Sequence, residues 1–289
     1  MADVLAPNPA VSRAIRPHGA GPAGQGELAI ERSADGRSVV TRALATSPLR
    51  LLTPQNHGRA AWVYTSSLGG GLVDGDRIGL DVDIGPGAAA FLSTQASTKV
   101  YRSAGGTSTA VHGRVAAHGL LALVPDPVVC FAGATYRQVQ SFDIATSGGL
   151  VLVDWLSSGR HAAGERWAFD EYAARLQLRV DGAIVLHDAL ALRAGDGDLR
   201  ARLGRFDVVA TVAIVGPQLR AAAAAVAERV AAIAVDRRMA QLIAAAPLGA
   251  HGWLVRLAGT SFEQTAALVR DYLGFLPPLL GDDPWARKW

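Results

Sequence analysis

The feature that most constrains this chain is a strict alternation of apolar and polar residues in short stretches. Between Ile78 and Ile84 every second residue is Ile, Leu or Val, and the intervening positions are Gly or Asp. The stretch 175–180 repeats the pattern with Arg and Gln between the apolar positions. A period of two is typical of half-buried β-strands. Further strands are predicted at residues 60–66, 88–94, 109–116, 137–144, 150–156, 183–192 and 206–215.

The C-terminal part has a different pattern. After Pro217 the chain is almost all Ala, Val and charged residues to about residue 234, which predicts a helix with Pro in its first turn. Ser261 resembles the cap of a second helix that would run to about Leu273, where Gly274, Pro277 and Pro278 stop it. The tail carries Trp285 and Trp289, and it either docks on a partner or packs on its own domain. Two short strands are predicted at residues 240–245 and 253–258.

This order of elements predicts the fold class. Strands and helices do not alternate, which argues against a doubly wound parallel sheet. We predict a mainly β protein with a large wound two-layer, β-helix-like body and an α-helical C-terminal element. Residues 1–26 are expected to form a flexible extension, 27–216 the β-rich body, and 217–289 an α-helical and mixed region packed on the body.

Composition narrows the function classes. Half of the residues are hydrophobic, only 18% are charged, and the mean hydropathy is +0.21. Such a chain has a large core or an apolar surface for a partner. No apolar run reaches the roughly 18 residues of a membrane span, and the N-terminus has no secretory pattern, so a cytoplasmic protein is expected. The net charge is +3, and the basic residues are spread along the chain rather than clustered, which does not indicate nucleic-acid binding.

Metal-binding and catalytic motifs are sparse. The single cysteine, Cys130, lies in an apolar stretch and is expected to be a buried structural residue. The seven histidines show no metal-ligand spacing, so we predict neither a stable metal site nor a tightly bound cofactor. The glycine-dense segment 69–76 lacks the Lys-Ser/Thr ending of a phosphate-binding loop. Its glycines are interpreted as a tight structural loop: Gly69, Gly70, Gly71 and Gly75.

Two polar runs stand out in strand-like contexts, at residues 94–103 and 154–160, the second followed by Glu165 and Arg166. Polar groups inside a sheet protein must be hydrogen-bonded or hydrated. They therefore form either a structural network or the wall of a wet passage, and the residues alone slightly favour the network.

These runs, together with the glycine loop, closely resemble the UreD (UreH) family of urease accessory proteins. The matching segments are Leu68 to Asp76, Ser93 to Ser103 and Asp154 to Arg160, with shorter matches at residues 125–128 and 131–134. The order and spacing agree from about residue 48 to 169. Cys130 stands where family members often have Pro, and Ser93 where Thr is common.

The resemblance implies a non-catalytic maturation scaffold. Such proteins bind apo-urease and a UreF-type helical accessory protein, and through it a UreG-type GTPase. Ni²⁺ is expected only in transit along an internal route, which suits replaceable oxygen ligands rather than a thiolate or multi-His cage. We expect Asp76, Gln95, Asp154 and Glu165 near a wet interior. The residues assigned to the nickel path or to partner binding are Asp74, Asp76, Gln95, Lys99, Tyr101, Arg102, Asp154, Arg160 and Glu165.

Two other functions remain open from the sequence. The chain has only two lysines, and Lys99 could act as a base in an enzyme site with Tyr101 and an Asp. The chain could also be a β-solenoid binding module for another partner.

Overall fold

The computed structural model of the protein describes residues 24–55 and 58–286. Of the extension expected at residues 1–26, residues 1–23 lie outside the described part of the chain. The first strand begins at Gln25, within the range expected for the extension. The strands are β1 Gln25–Arg32, β2 Ser38–Ala45, β3 Leu49–Leu52, β4 Ala61–Ser67, β5 Arg77–Ile84, β6 Ala89–Thr94, β7 Thr98–Val100, β8 Thr107–Val115, β9 Leu120–Leu123, β10 Val128–Cys130, β11 Thr135–Ile144, β12 Gly149–Ser157, β13 Glu171–Val180, β14 Ala183–Arg193, β15 Val208–Val215, β16 Gln241–Pro247 and β17 Gly252–Gly259. The α-helices are α1 Leu199–Leu203, α2 Arg220–Ala231, α3 Phe262–Tyr272 and α4 Leu276–Leu280.

The strands form two sheets. The first sheet has the order β14-β13-β11-β8-β5-β1-β2, and the second has the order β16-β17-β15-β12-β9-β6-β4-β3 with β10 and β7 beside β12. In the first sheet the interior neighbours run parallel and the two edge pairs run antiparallel. In the second sheet β12, β9, β6 and β4 run parallel to one another, whereas the pairs β12–β15, β15–β17, β16–β17 and β3–β4 are antiparallel. Each predicted strand is present to within a few residues, and the mainly β, two-layer prediction is confirmed.

Parallel strands without crossover helices have a simple origin here. From β4 to β13 the chain passes back and forth between the sheets, so β5, β8, β11 and β13 lie in the first and β4, β6, β9 and β12 in the second. The opposite sheet thus provides the crossover that a helix provides in a βαβ unit. The description of this body as β-helix-like stays a prediction, because antiparallel hairpins follow at β13–β14 and β16–β17.

Three apolar cores of the described residues hold the layers together, a small one around Tyr136, Trp167 and Tyr172 and two larger ones. The core between the sheets contains Phe142 and Ile144 of β11 facing Leu150 and Leu152 of β12, all almost completely buried. The other core lies between the second sheet and the helices. There the alanine-rich α2 packs on β15, β16 and β17 with Ala223, Val226 and Val230 buried. Small Ala side chains allow this close approach of helix and sheet.

Some sequence expectations needed correction in detail. The helix beginning after Ser261 ends at Tyr272, but Pro277 and Pro278 do not simply follow it as breakers. They occupy the first turn of the separate short helix α4, where a missing backbone N–H costs nothing. The short helix α1 was not predicted; Asp198 caps it by accepting from the backbone N–H of Arg200 at 2.9 Å.

The remaining structural expectations concern the cysteine, the tail and the membrane. Cys130 is buried, as predicted, and burial raises the pKa of its thiol. Trp285 packs edge-to-face on Phe91, with the ring centroids 6.3 Å apart, so this part of the tail packs on its own domain. Trp289 lies outside the described residues. Within the described part of the chain, the helices are all too short or too polar to cross a membrane.

Candidate functional site

A cavity separates the two sheets between the core around Phe142 and Ile144 and a smaller core around Tyr136 and Tyr172. The cavity has a volume of about 290 Å³ and is lined by both sheets. Along β11 the inward positions change from Phe142 and Ile144 to Gln140 and Gln138 at the cavity, and Tyr136 follows at its far wall. Polar side chains cannot fill an interior as a dry apolar core does, because each needs a hydrogen-bond partner or water. This cavity, which we call the main cavity, therefore lies where polar residues replace apolar ones on the inner faces of the sheets.

A chain of hydrogen bonds runs along the wall of the main cavity. The hydroxyl groups of Thr109 and Tyr136 are 2.6 Å apart, and the Tyr136 hydroxyl donates to Gln138 Oε1 at 3.2 Å. The amide nitrogen of Gln138 in turn donates to Asp154 Oδ1 at 2.8 Å. This chain connects the first sheet to the second and orients Asp154 Oδ1, whereas Asp154 Oδ2 accepts no hydrogen bond from the part of the chain that the structure describes.

Asp154 is a carboxyl group in an unusual environment. Removal from bulk water raises its pKa from 3.8 to about 6; the hydrogen bond from Gln138 opposes this shift and the negative charge of Asp188 adds to it. Its side chain keeps some accessible surface because it borders the cavity. At neutral pH the carboxyl group is therefore mostly ionised, in a site that stabilises the anion less well than bulk water does.

A second cavity of about 230 Å³ lies on the β14 side of Asp154. Asp154 lines both cavities, and the other charged residues around the second cavity are Asp188 and Arg256. Arg256 Nη2 of β17 and Asp188 Oδ1 of β14 are 2.7 Å apart, so this ion pair links the second sheet to the first. Thr211 lies between Asp154 and Arg256 in the cross-strand register. Polar groups thus continue from Asp154 toward the open side of the sandwich.

Three of the residues predicted for the nickel path or for partner binding line the main cavity. Gln95 and Lys99 lie on the segment that follows β6, at the mouth of the cavity, and Asp154 lies deep inside it. Gly70 of the glycine loop also borders the mouth. The two polar runs of the sequence, which are more than fifty residues apart, therefore meet at one cavity.

Other predicted residues form a separate cluster around the ring of Phe131. The Tyr101 ring packs edge-on at 5.1 Å between centroids, and the guanidinium carbon of Arg160 lies 4.3 Å from the ring centroid. Glu165 pairs with Arg160, and its Oε2 accepts from the backbone N–H of Ala132 at 3.3 Å. The bond from Arg160 lowers the pKa of Glu165. Glu165 lines neither of the two cavities, so the expectation of a wet interior position does not describe it.

The remaining predicted residues have local structural contacts. Asp76 Oδ2 accepts from the Val73 N–H at 2.8 Å, and Asp74 Oδ1 accepts from the Gly105 N–H at 2.7 Å. Asp76 therefore closes a turn and lines neither cavity, contrary to its expected position. The Arg102 side chain lies over Gly133.

The glycine loop has backbone requirements of its own. Positive φ values occur at Gly69, Gly70 and Gly75, of 87°, 73° and 86° respectively. At Gly71 an added Cβ would lie 2.7 Å from Tyr101 Cε2. These values match the interpretation of the segment as a tight loop.

Several cavity residues were missed by the sequence reasoning. Gln138 and Gln140 were recognised only as parts of a strand, and Asp188 and Arg256 were not singled out. A signal for the first two was present, because they occupy the same alternating positions as the apolar Phe142 and Ile144. A polar residue in phase with the core face indicates a polar interior. Nothing comparable indicates that Asp188 and Arg256 meet.

The cavities present scattered oxygen and amide groups rather than a compact set of metal ligands. Within residues 24–55 and 58–286, no group of three or more His, Cys, Asp or Glu side chains could hold a metal ion. The polar lining of the main cavity consists mainly of hydroxyl, amide and carboxyl groups, which bind divalent transition metals weakly and exchangeably.

Asp154 is expected to make stability depend on pH. Because its pKa is about 6 in the folded chain and near 3.8 in the unfolded chain, the native state binds the proton more tightly. At about pH 4 the carboxyl group is protonated in the folded chain and lowers the free energy of unfolding only slightly. That free energy falls as the pH rises through about 6. At about pH 8, Asp154→Asn should raise the free energy of unfolding by about 1–3 kcal/mol, with a difference under about 0.5 kcal/mol at pH 4. Urea unfolding at both pH values measures this, and an equal effect at both would contradict the raised pKa.

Comparison with known proteins places the chain among close relatives. A family model described as UreD urease accessory protein matches residues 23–289. The urease accessory protein UreD of Sorangium cellulosum is 53% identical over 270 residues, covering 93% of this chain and 86% of the relative. The corresponding protein of Anaeromyxobacter sp. is 47% identical over 92% of this chain and 89% of the relative. Urease accessory protein D of Oryza sativa subsp. indica is 32% identical over 91% and 95%.

Proposed function

Because the chain belongs to the UreD family of urease accessory proteins, we propose that it assists delivery of Ni²⁺ into apo-urease through its inter-sheet cavities. Its relatives are named as urease accessory proteins, which supports a role in urease maturation. Nickel is the cargo in this proposal, not a resident cofactor. We further propose that the chain binds apo-urease and a UreF-type helical protein in the cytoplasm, and reaches a UreG-type GTPase through the latter.

The observation that carries the proposal is the position of Asp154 between the two cavities. A passing cation needs an oxygen ligand at the narrow point between two wet spaces, and it must be able to leave that ligand again. A single carboxylate beside a neutral amide fulfils both needs, whereas three or four charged ligands would retain the ion. Gln138 holds one oxygen of Asp154 in place at 2.8 Å, which leaves the other oxygen for the cargo.

The mouth of the main cavity fits entry of a hydrated cation. Its border contains hydroxyl, amide and backbone oxygens of the segment after β6, with Asp126 as a further carboxyl group. Thr94 Oγ1 accepts from the Asp126 N–H at 2.7 Å, which orders this border. Lys99 is the cationic residue at the mouth, and we assign it to partner contact rather than to the path.

The enzyme alternative gains no support from the arrangement. It required Lys99, Tyr101 and an Asp in one site, but the Tyr101 ring packs on Phe131 while Lys99 borders the main cavity. We therefore propose a non-catalytic scaffold in which GTP hydrolysis belongs to the GTPase.

The test is urease activation in cells that express a complete urease operon with nickel, with and without the gene for this chain. We expect urease activity and urease-bound nickel only when the chain is present. A cavity-lining variant that cannot bind the other accessory proteins can be tested in the same cells. If it restored urease activity, Ni²⁺ would be delivered directly, without those proteins. Equal activity with and without the chain would contradict a role in maturation.

A further inference from the structure

The second cavity carries an ion pair at its open side that the proposed conduit does not require. Arg256 and Asp188 belong to different sheets, and the pair spans the gap where β14 and β16 form the edges. At the opposite side of the sandwich the edge strands β2 and β3 pack together. Between β14 and β16, therefore, this ion pair connects the two sheets where their edge strands do not.

The orientation of the side chains follows from the strand register. Asp154 lies directly opposite Thr211 in β15, and Thr211 lies opposite Arg256 in β17. Opposed residues of antiparallel strands project from the same face of a sheet. The three side chains therefore form a row that faces the inter-sheet space, from the deep carboxyl group to the guanidinium at the open side.

The charges of this row oppose each other. With Arg256 in place, the second cavity contains two carboxyl groups and one cation at its outer end. A guanidinium at this position neutralises Asp188 and repels any cation that approaches Asp154 from the open side or leaves toward it. Removal of that charge would leave two carboxyl groups facing a mouth without a counter-ion.

The pair is also accessible enough to be exchanged. The Arg256 side chain is 58% exposed, whereas that of Asp188 is 20% exposed. Exposed ion pairs contribute little net stability, because water and other anions compete for the partners. Arg256 can therefore leave Asp188 for another acceptor without unfolding the sandwich.

We propose that Arg256 acts as an electrostatic gate, which closes the second cavity to divalent cations by occupying Asp188 and opens it when the guanidinium is withdrawn. This inference rests on the proposed conduit role of the cavities and adds the residue that controls passage at one end. Asp188 is the carboxylate that receives the cation once the gate is open.

The test is Ni²⁺ binding by the purified full-length chain, measured by equilibrium dialysis. We expect Arg256→Gln to bind Ni²⁺ about tenfold more tightly than the wild type, since one positive charge near two carboxyl groups has been removed. Asp188→Asn added to Arg256→Gln should abolish the gain. Arg256→Lys, which keeps the charge, should resemble the wild type.

A matched control comes from another inter-strand ion pair. Arg137 Nη2 and Glu171 Oε2 are 3.1 Å apart across β11 and β13, with the arginine side chain 66% exposed, and neither lines the two inter-sheet cavities. Arg137→Gln should leave Ni²⁺ binding unchanged, and circular dichroism should show the same fold for all variants. Unchanged Ni²⁺ affinity in Arg256→Gln, or a gain that persists without Asp188, would overturn the gate.

Different results would contradict the proposed gate and the proposed conduit. Dialysis contains no urease, so tighter binding by Arg256→Gln establishes the gate even if the chain proves dispensable for urease activation. If the chain is needed for activation but Arg256→Gln binds Ni²⁺ like the wild type, the gate is wrong and the conduit remains.

Discussion

Replacement of Asp154 by Leu is expected to lower nickel-dependent urease activation by about tenfold or more, the range seen when groups that bind or orient a metal are removed. Leu has a similar length but offers no oxygen to a passing cation. Asp154 lines both cavities, so its loss interrupts the proposed path at the point where they adjoin. The measurement is urease activity and urease-bound nickel after co-expression of the complete operon with the variant.

The control for this experiment is an exposed carboxyl group on the outer face of the first sheet. Asp83 of β5 lies 3.7 Å from Arg114 and lines neither inter-sheet cavity. Asp83→Leu should leave urease activation unchanged. Urea unfolding near pH 8 should accompany the activity measurement, because loss of the penalised carboxyl group favours folding whereas loss of the acceptor for the Gln138 amide opposes it. Full activation by a folded Asp154→Leu chain would contradict the conduit.

Replacement of Phe142 by Ala is expected to lower the free energy of unfolding by about 3–5 kcal/mol. The Phe142 ring is fully buried between the sheets and fills the space left by Gly113 on the neighbouring strand. A Cβ at Gly113 would lie 2.3 Å from the Phe142 ring, so the two positions are complementary in size. Ala at position 142 would leave a cavity that the surrounding strands cannot close. Urea unfolding monitored by circular dichroism gives the change.

The same strand provides the matched control. Val139 lies on the outer face of β11 and is 41% exposed. Val139→Ala should change the free energy of unfolding by less than about 0.5 kcal/mol. A loss at Phe142 no larger than that at Val139 would mean that the inter-sheet core is loosely packed, contrary to the complementary fit with Gly113.

Much of the fold was accessible from local pattern. The alternation at Ile78 to Ile84 identifies both a strand and the face that it buries, because successive side chains of a strand point to opposite sides. The Ala-rich segment after Pro217 and the cap at Ser261 identify helices by equally local chemistry. Six strands in the described part of the chain were not predicted. Four of them span only three or four residues, too few to show a period: β3, β7, β9 and β10. The eight-residue strands β1 and β2 were missed as well, and β2 is mostly exposed, so it has no buried apolar face to reveal it.

The functional residues also divide into those that the sequence identified and those whose position only the structure revealed. The polar run at residues 94–103 and Asp154 could be identified as unusual, and both contribute to the main cavity. Glu165 was grouped with them because it follows the second polar run and the family match includes it. In the structure it pairs with Arg160 beside Phe131 and lines neither cavity.

By itself the sequence determined the family, the mainly β class, most strand positions and the set of polar residues available to an interior. The tertiary structure alone decided which of those residues meet. Gln138 reaches Asp154, and Asp188 reaches Arg256, because the chain places β11 and β14 in one sheet and β12 and β17 in the other. Alternation reports the face of a strand through short-range geometry. The partner across the interior depends on strand order and register, which are set by long-range packing of the whole chain.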